Sequence, residues 1–470
     1  MALGFSATLS AKKLLGIFSR PLEIKRVLHA LESIRNEDFW IPDLAVQRGI
    51  RSATRPTFTT SYLSEDGFLI VDFGGEAKIF FAVRDRDLYA EYVTTTLFGP
   101  GFHVLALRFC ERLAETAGLK LQIDDETDYY RNRDFASLKQ SFVRWFGMLL
   151  QTVEPQSGQD KPGEHYLCWA LDSYRLNEPL PGVVTPAGFF RYEQLREMES
   201  RLEQAAADFF LFLPNECRDA LHYRNFAMSR LWCDFRFTTD EADRKLGTEI
   251  AEGLETAAKL NPALPFPRKA YQEVCALLGR SEIDVTALPE DERFPTIGFR
   301  KFPIRFNFAN WLVVVHGSVA SVCEPGRPFQ LKAPGLQVEF SSFTMQLRAD
   351  ASPNTPPPPL RDICLNGSNG ENLVNEYQLS NGEGIVQQTA DSEFPLLLTC
   401  ALREQSPTDP RLWQILTLIA RANRMELIDW ARTVAEQCNI QNRTLPGAEA
   451  EKEWNMEFGN GRRTEYGDRS

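Results

Sequence analysis

The sequence predicts a multi-domain α+β protein, in which an N-terminal α+β sheet domain and a β-rich C-terminal α+β domain flank a helical middle. Two patterns carry this prediction. Runs that are typical of strands fill much of the first and last parts of the chain, whereas apolar residues recur at helical spacing through the middle. The length of 470 residues suffices for two to four domains at roughly 100 to 200 residues each.

The N-terminal domain is predicted to span residues 1–153. Apolar residues that follow Pro21 fall near one helical face and predict an amphipathic opening helix. The runs FLIVDF, AKIFFAV and LYAEYVTTT then favour three strands in a meander. The next helix should end at Gly118, since glycine adopts the left-handed conformation that terminates helices. A strand LKLQI follows, and Asp134 is placed to cap the last helix of the domain.

Residues 165–290 are predicted to form a mainly helical middle domain. Within it, the stretch KLGTEIAEGLETAAKLNPALPFPRKAYQEVCALLGR resembles part of a tetratricopeptide array, over about residues 246–280. The positions that match the repeat are Leu254, Ala257, Pro262 and Gly279. The resemblance implies a helix hairpin, the kind of element whose surface usually binds peptides.

Residues 295–440 are predicted to form a β-rich α+β domain closed by a C-terminal helix. Strand-like runs such as IRFNFANWLVVVHG and LQVEFSSFTMQ precede the proline-rich SPNTPPPPL, and two more runs follow it. The dipeptide Asp409-Pro410 is a favoured helix start. We therefore expect a helix there whose apolar residues include Leu412, Trp413, Leu416 and Ile419. Strands followed by a final helix resemble the PsbP/Mog1 type of small α+β domain. Residues 441–470 are predicted to be a polar tail.

Charge and cysteine usage limit the partners and the compartment. The formal net charge of −12 repels phosphate backbones and anionic lipids, so neither nucleic acid nor membrane is an expected partner. No apolar run approaches the about 20 residues of a membrane-spanning helix. The nine cysteines include no CxxC pair, which fits a reducing compartment better than a disulfide framework. The sequence therefore predicts a cytoplasmic protein.

The stretch LQIDDETDYYRNRDF, residues 121–135, is the strongest candidate for a catalytic site. An enzymatic interpretation would use Asp124, Asp125 and Asp128 at a metal ion and Arg131 or Arg133 on substrate oxygens. An EF-hand is excluded, because positions six and twelve counted from the first aspartate are Tyr and Phe. The other interpretation is a solvated joint between a strand and a helix, which we favour because a single charged cluster in a loop is usually solvated.

A second set of candidate residues lies in the helical middle, where large rings and arginines alternate. Most of these rings should be core, and the remainder could line a groove for a peptide or a helix. Arginine suits the rim of such an interface. The candidate binding residues are Phe209, Phe210, Tyr223, Arg224, Phe226, Arg230, Trp232 and Arg236.

Familiar catalytic motifs are missing from the sequence. The five histidines form no HExxH or other paired metal spacing, and no GxSxG occurs. We therefore expect no cofactor and no bound metal. The sequence favours a non-enzymatic, protein-binding adaptor, assembly factor or chaperone-like protein whose partner is another protein or peptide. The alternative is a metal-assisted hydrolase or phosphoryl-processing enzyme with an acidic site around residues 124–128.

Overall fold

A computed structural model gives the fold of the chain and confirms the multi-domain α+β architecture. The structure describes residues 3–11, 13–14, 18–19, 24–37, 68–73, 77–84, 87–153, 164–166, 175–176, 182–185, 188–213, 218–291, 298–309, 311–322, 329–346, 359–365, 372–405 and 412–440. The predicted polar tail 441–470 lies outside these ranges, as do the proline-rich run before Pro359 and the dipeptide Asp409-Pro410. Within the described ranges, no helix combines the length and the apolar character needed to cross a bilayer.

The N-terminal part is a five-stranded antiparallel sheet with helices packed on it. Its elements are β1 Gly4–Ala11, β2 Lys13–Leu14, β3 Phe18–Ser19, α1 Ile24–Glu37, β4 Phe68–Asp72, β5 Lys78–Arg84, β6 Asp87–Thr94, α2 Pro100–Ala117, β7 Leu119–Asp125, α3 Tyr129–Asn132 and α4 Phe135–Val153. The strand order is β4-β5-β6-β1-β7, so the predicted meander is confirmed. The unpredicted β1 lies between β6 and β7 and buries Phe5, Ala7 and Leu9 on alternate positions.

Both helix boundaries that the sequence predicted in this part are confirmed. Gly118 follows α2 with φ 63° and ψ 36°, and its N–H donates to the carbonyl oxygens of Ala114 and Glu115. The Asp134 carboxylate accepts hydrogen bonds from the N–H groups of Ala136 and Ser137 at 3.0 and 3.2 Å. These caps satisfy backbone groups that a helix end leaves without a partner inside the helix.

The middle of the chain contains short strands before its helices. Its elements are β8 Glu164–Tyr166, β9 Arg175–Leu176, β10 Gly182–Thr185, β11 Gly188–Arg191, α5 Tyr192–Glu199, α6 Leu202–Phe209, α7 Ala220–Cys233, α8 Glu241–Leu260 and α9 Arg268–Leu278. Strands β11, β10 and β8 form a small sheet that the sequence did not predict. Helices α8 and α9 pack against each other, and Gly279 ends α9 with φ 64°. The tetratricopeptide resemblance of this pair stays a prediction.

The C-terminal part is built on a seven-stranded antiparallel sheet. Its elements are a short 3-10 helix Phe299–Lys301, β12 Pro303–Phe308, β13 Trp311–His316, β14 Ala320–Val322, β15 Phe329–Ala333, β16 Leu336–Gln346, α10 Leu360–Leu365, β17 Leu373–Leu379, β18 Gly382–Gln388, β19 Leu396–Gln405, β20 Leu412–Ala422, α11 Met425–Gln437 and β21 Asn439–Ile440. The order is β14-β15-β16-β20-β19-β18-β17. Helix α11 packs on β19 and β20, and α10 packs on β18 and β19. The resemblance to the PsbP/Mog1 type stays a prediction.

The helix predicted to begin at Asp409-Pro410 is wrong over the residues that the structure describes. Residues 412–422 form β20, which pairs along its whole length with β16 and over ten positions with β19. Leu416, Leu418 and Ala420 are buried at alternate positions, which is the period of a strand. The C-terminal helix that closes this part is α11, which begins at Met425, well after the start predicted at Asp409-Pro410.

Hydrogen bonds and packing join regions on opposite sides of the predicted domain boundaries. The N–H of Phe212 donates to the carbonyl of Phe98 at 2.9 Å, and the N–H of Gly101 donates to the carbonyl of Phe212 at 2.7 Å. Strand β9 of the middle pairs with β12 of the C-terminal part. The division into 1–153, 165–290 and 295–440 stays a prediction, and these contacts show that the segments share one continuous core.

Candidate functional site

The acidic stretch at the end of β7 turns its side chains in different directions. Because side chains alternate along a strand, Asp124 and Glu126 are exposed, whereas the side chain of Asp125 is 3% exposed. Asp128 is also exposed and takes the left-handed conformation at φ 58°, ahead of α3. The carboxylates of Asp124, Asp125 and Asp128 therefore do not share one face, as the enzymatic interpretation would require.

Asp125 is the organising residue of the turn. Its carboxylate accepts hydrogen bonds from the N–H and hydroxyl of Thr127 at 2.9 and 2.8 Å, and from the N–H of Tyr130 at 2.7 Å. On its other side, Oδ1 lies 3.2 Å from Nε2 of His103 in α2. Burial alone would raise the pKa of Asp125, but the hydrogen bond and charge of His103 and these two N–H groups lower it to about 2.

His103 joins the acidic turn to the end of β6. Its Nδ1 lies 2.9 Å from the hydroxyl of Thr95, so an aspartate, an imidazole and a hydroxyl are aligned as in a hydrolytic triad. Both His103 and Thr95 are fully buried, however, and the rings of Phe5, Tyr129 and Phe142 lie around the imidazole. A substrate cannot reach this hydroxyl in the folded protein. The arrangement holds α2 against the turn.

The two arginines of the stretch are not brought together with the acids around one point. Arg131 is 84% exposed, and its nearest ion pair is with Asp128 at 3.6 Å. Arg133 pairs with Glu111 of α2, and its guanidinium lies 4.8 Å from the centre of the Tyr130 ring. Among the described residues, no group of three or more His, Cys, Asp or Glu side chains is placed to hold a metal ion.

The aromatic candidates of the middle are mostly core residues. Phe209, Phe210 and Trp232 are each less than 5% exposed. Phe209 packs on Phe146 of α4 at a ring distance of 4.6 Å, and Trp232 packs on Phe299 at 4.8 Å. These rings belong to the hydrophobic core and form little of the protein surface. They do not line an open groove, although Phe209 borders a small apolar cavity with Phe146 and Phe190.

Two of the arginine candidates are also engaged inside the fold. Arg224 is 4% exposed, and its guanidinium donates to Asp208 at 2.6 Å and to its neighbour Asn225 at 2.7 Å. Arg236 pairs with Asp240 at 2.7 Å and with the buried Asp243 at 3.3 Å. Since Asp240 caps α8, the ion pairs of Arg236 with Asp240 and Asp243 fix the turn from α7 into α8.

Three candidates remain at the surface and lie along one face of α7. Tyr223, Phe226 and Arg230 are spaced by three and four residues, and all three are partly exposed on a helix that is otherwise largely buried. The Arg230 guanidinium lies 5.7 Å from the centre of the Phe226 ring and pairs with Asp234 at 2.9 Å. We call these three residues the α7 stripe.

A buried histidine lies behind the α7 stripe. The His222 ring packs on Phe226 at 6.0 Å and on Phe212 at 4.5 Å, and its Nδ1 lies 3.2 Å from the carbonyl oxygen of Leu211. Burial, and then the charge of Arg218, lower the pKa of His222 to about 4. The imidazole is therefore neutral near pH 7, which keeps the support of the stripe apolar.

Sequence reasoning missed the contacts of His103 and Thr95 beside Asp125, and it missed the place of His222 behind the α7 stripe. The first two come from different elements than Asp125, so no spacing along the chain relates the three. His222 stands among aromatic residues with no paired ligand nearby in sequence, which is the ordinary setting of a buried histidine. Their roles became visible only when the elements were placed in space.

Comparison with known proteins gives the chain no family. No protein-family model matches it, and no curated protein is similar enough to count as a match.

Proposed function

We propose that the protein is a non-enzymatic cytoplasmic adaptor, assembly factor or chaperone-like protein that binds another protein through the α7 stripe. The observation that carries this proposal is the partial exposure of Tyr223, Phe226 and Arg230 along a helix whose other faces are mostly covered. Tyrosine and arginine are enriched among the residues that dominate binding energy at interfaces. A partner helix or peptide can bury the ring faces without unfolding the surrounding core.

The rigid setting of the stripe supports the same proposal. α7 is packed against α8, and the Gly253 position on α8 lies so close that an added Cβ would be 3.2 Å from that of Ala227. A surface held by a packed helix loses little conformational entropy on binding. Six described cysteines are free and buried, which supports the cytoplasm as the compartment.

The enzymatic alternative draws no support from the acidic stretch. Its acids diverge, its two arginines have separate contacts, and the one histidine beside it is enclosed. We therefore assign the turn a structural role in the proposal. It holds α2, β7 and α3 together through Asp125.

Photocrosslinking in cells that naturally contain the protein tests the α7 stripe as a binding surface. A p-benzoylphenylalanine at position 223 should give a discrete covalent adduct with one protein, whereas the same group at the exposed Lys245 of α8 should not. The change Arg230→Ala should reduce the adduct about fivefold or more, as expected of an interface residue worth roughly 1 kcal/mol. Arg230 pairs at the surface, so the same change should alter the free energy of unfolding by less than about 1 kcal/mol.

The proposal fails on any of three outcomes. An adduct of equal yield from position 245 would show that the crosslinker reports collisions rather than a defined surface. An adduct that Arg230→Ala leaves unchanged, or no adduct at all, would remove the α7 stripe from the binding function.

A further inference from the structure

The seven-stranded sheet ends in a strand that is long and exposed. β17 spans seven residues and pairs with β18, and among the described residues no strand pairs with its outer side. The opposite end of the sheet is β14, which has only three residues. Proteins commonly protect sheet edges by shortening the outer strand or by placing Lys or Pro on it. The β14 edge is short, whereas β17 is long, carries neither Lys nor Pro, and is regularly paired from Asn375 to Leu379, beyond a bulge between Leu373 and Asn375.

The exposed side chains of β17 include two adjacent large aliphatic residues. Leu373 is 41% exposed and Val374 is 50% exposed. Exposed aliphatic residues on an edge strand are where strand addition gains apolar contact as well as hydrogen bonds. This edge therefore has both of the features that binding of an extended peptide uses.

The hairpin geometry shows which backbone groups face outward. β17 and β18 are joined by the two residues Ser380 and Asn381, so Leu379 and Gly382 close the hairpin as a hydrogen-bonded pair. Bonding alternates along an antiparallel ladder, and the N–H groups of Gln378 and Glu376 consequently point away from β18. The Glu376 N–H donates to the side-chain oxygen of Asn375 at 2.9 Å, as an outward group can.

Charge near the edge selects a basic partner. Four carboxylates lie on β17, on its neighbour β18 or around Arg432 of α11, and two guanidinium groups accompany them. The carboxylates are those of Glu376, Glu383, Asp429 and Glu436, and the guanidinium groups are those of Arg361 and Arg432. Arg361 is held by Glu376 in two contacts, at 2.9 and 2.7 Å, and Arg432 stacks on Tyr377 at 4.8 Å. The excess of negative charge favours lysine or arginine on an incoming segment.

We propose that the outer edge of β17 binds an extended segment of another protein as an eighth strand, and that this segment alternates aliphatic and basic side chains. Its main-chain groups pair with those of Glu376 and Gln378, and the Asn375 side chain is displaced from the Glu376 N–H. Its aliphatic residues lie on one face of the sheet, where they cover Val374, the more exposed of the two aliphatic side chains. This surface is separate from the α7 stripe and does not depend on it.

A synthetic peptide tests the proposal on the full-length protein. The probe is a blocked, fluorescent octapeptide of alternating valine and lysine, whose binding is followed by anisotropy. The first control is the same peptide N-methylated at alternate residues, which keeps charge and apolar surface but removes strand hydrogen bonds. The second control is the variant Gln378→Pro, which loses an outward N–H but no hydrogen bond to β18. It is compared with Gln378→Ala, which keeps that N–H.

We expect saturable binding that weakens at least about tenfold with the N-methylated peptide and with Gln378→Pro, but not with Gln378→Ala. Equal affinity for both peptides would mean that only charge attracts them to this acidic protein, and would overturn the proposal. So would equal binding by Gln378→Pro and Gln378→Ala, or no binding to the unaltered protein. If Gln378→Pro does not fold, the pair of peptides still decides the question.

Discussion

At the scale of single residues, Asp125 shows what the sequence could and could not predict. The acidic cluster was visible, and the interpretation of a joint between a strand and a helix matches its place after β7. The difference between Asp125 and its neighbours was not visible, because it depends on His103 and on the N–H groups of a turn. Of the four acidic residues in these five positions, Asp125 has a buried carboxylate and the other three have exposed ones.

Replacing Asp125 should reveal its structural role through pH. Asp125→Asn should lower the free energy of unfolding by about 1–3 kcal/mol near pH 7, the range for a hydrogen bond to a charged group. The pKa of Asp125 is lower in the folded protein, about 2, than its ordinary value of 3.8. Its contribution is therefore complete above pH 3.8 and is lost as the pH falls through about 2.

Denaturant unfolding at a series of pH values measures this difference. The two proteins should converge in stability as the pH falls from 3.8 towards 2. Asp124→Asn is the matched control, since Asp124 is the exposed neighbour, and it should change stability by less than about 0.5 kcal/mol. A larger loss for Asp124→Asn than for Asp125→Asn would contradict the assignment.

At the scale of elements, the predictions that depended only on residues close in sequence were confirmed. The end of α2 at Gly118 and the cap at Asp134 depend on residues within one turn, and both are confirmed. The prediction of a helix in place of β20 was wrong because the structure of this segment depends on strands that are distant in sequence. Its apolar residues fit a helical face as well as a strand, and only pairing with β16 and β19 decides between them. β1 was missed although Ser6, Thr8 and Ser10 alternate with its buried residues, which is the pattern of a half-buried strand.

The hairpin that carries the β17 edge can be tested through its glycines. At Gly382 an added Cβ would lie 2.2 Å from the backbone oxygen of Ala401 in β19, so Gly382→Ala must move the strand and should cost about 1–3 kcal/mol. At Gly384 the nearest atom is the Cys400 sulfur at 3.1 Å. Gly384→Ala is thus the milder control, and thermal unfolding should rank the two. The reverse ranking would contradict the packing between β18 and β19.

At the scale of the whole molecule, the periodicity of the sequence predicted the class of fold but not how its parts join. The alternation of strand-rich and helical regions follows from the periodicity of the sequence. The joints depend on pairs such as β9 with β12 and on backbone bonds between residues more than 100 positions apart.

Phe212 offers a test of that shared core, because it lies between the N-terminal sheet and the helical middle. It is 3% exposed, its ring contacts Phe102 of α2 and His222 of α7, and its backbone bonds to Phe98 and Gly101. Phe212→Ala should cost about 3–5 kcal/mol, as removal of a buried phenylalanine does. Since both helices pack on this one ring, amide hydrogen exchange should accelerate in α2 and α7 together.

The control for this experiment is Phe340→Ala, which removes a buried ring from the seven-stranded sheet. Hydrogen exchange resolved by element should then show the largest acceleration in β16 and the strands beside it. If Phe212→Ala accelerates exchange in α7 but leaves α2 unchanged, the N-terminal sheet and the helical middle unfold independently. In that case the predicted boundary near residue 153 separates two cooperative units in spite of the contacts across it. Faster exchange in both α2 and α7 would mean that the regions on either side of residue 153 unfold as one cooperative unit, because both helices pack on the Phe212 ring.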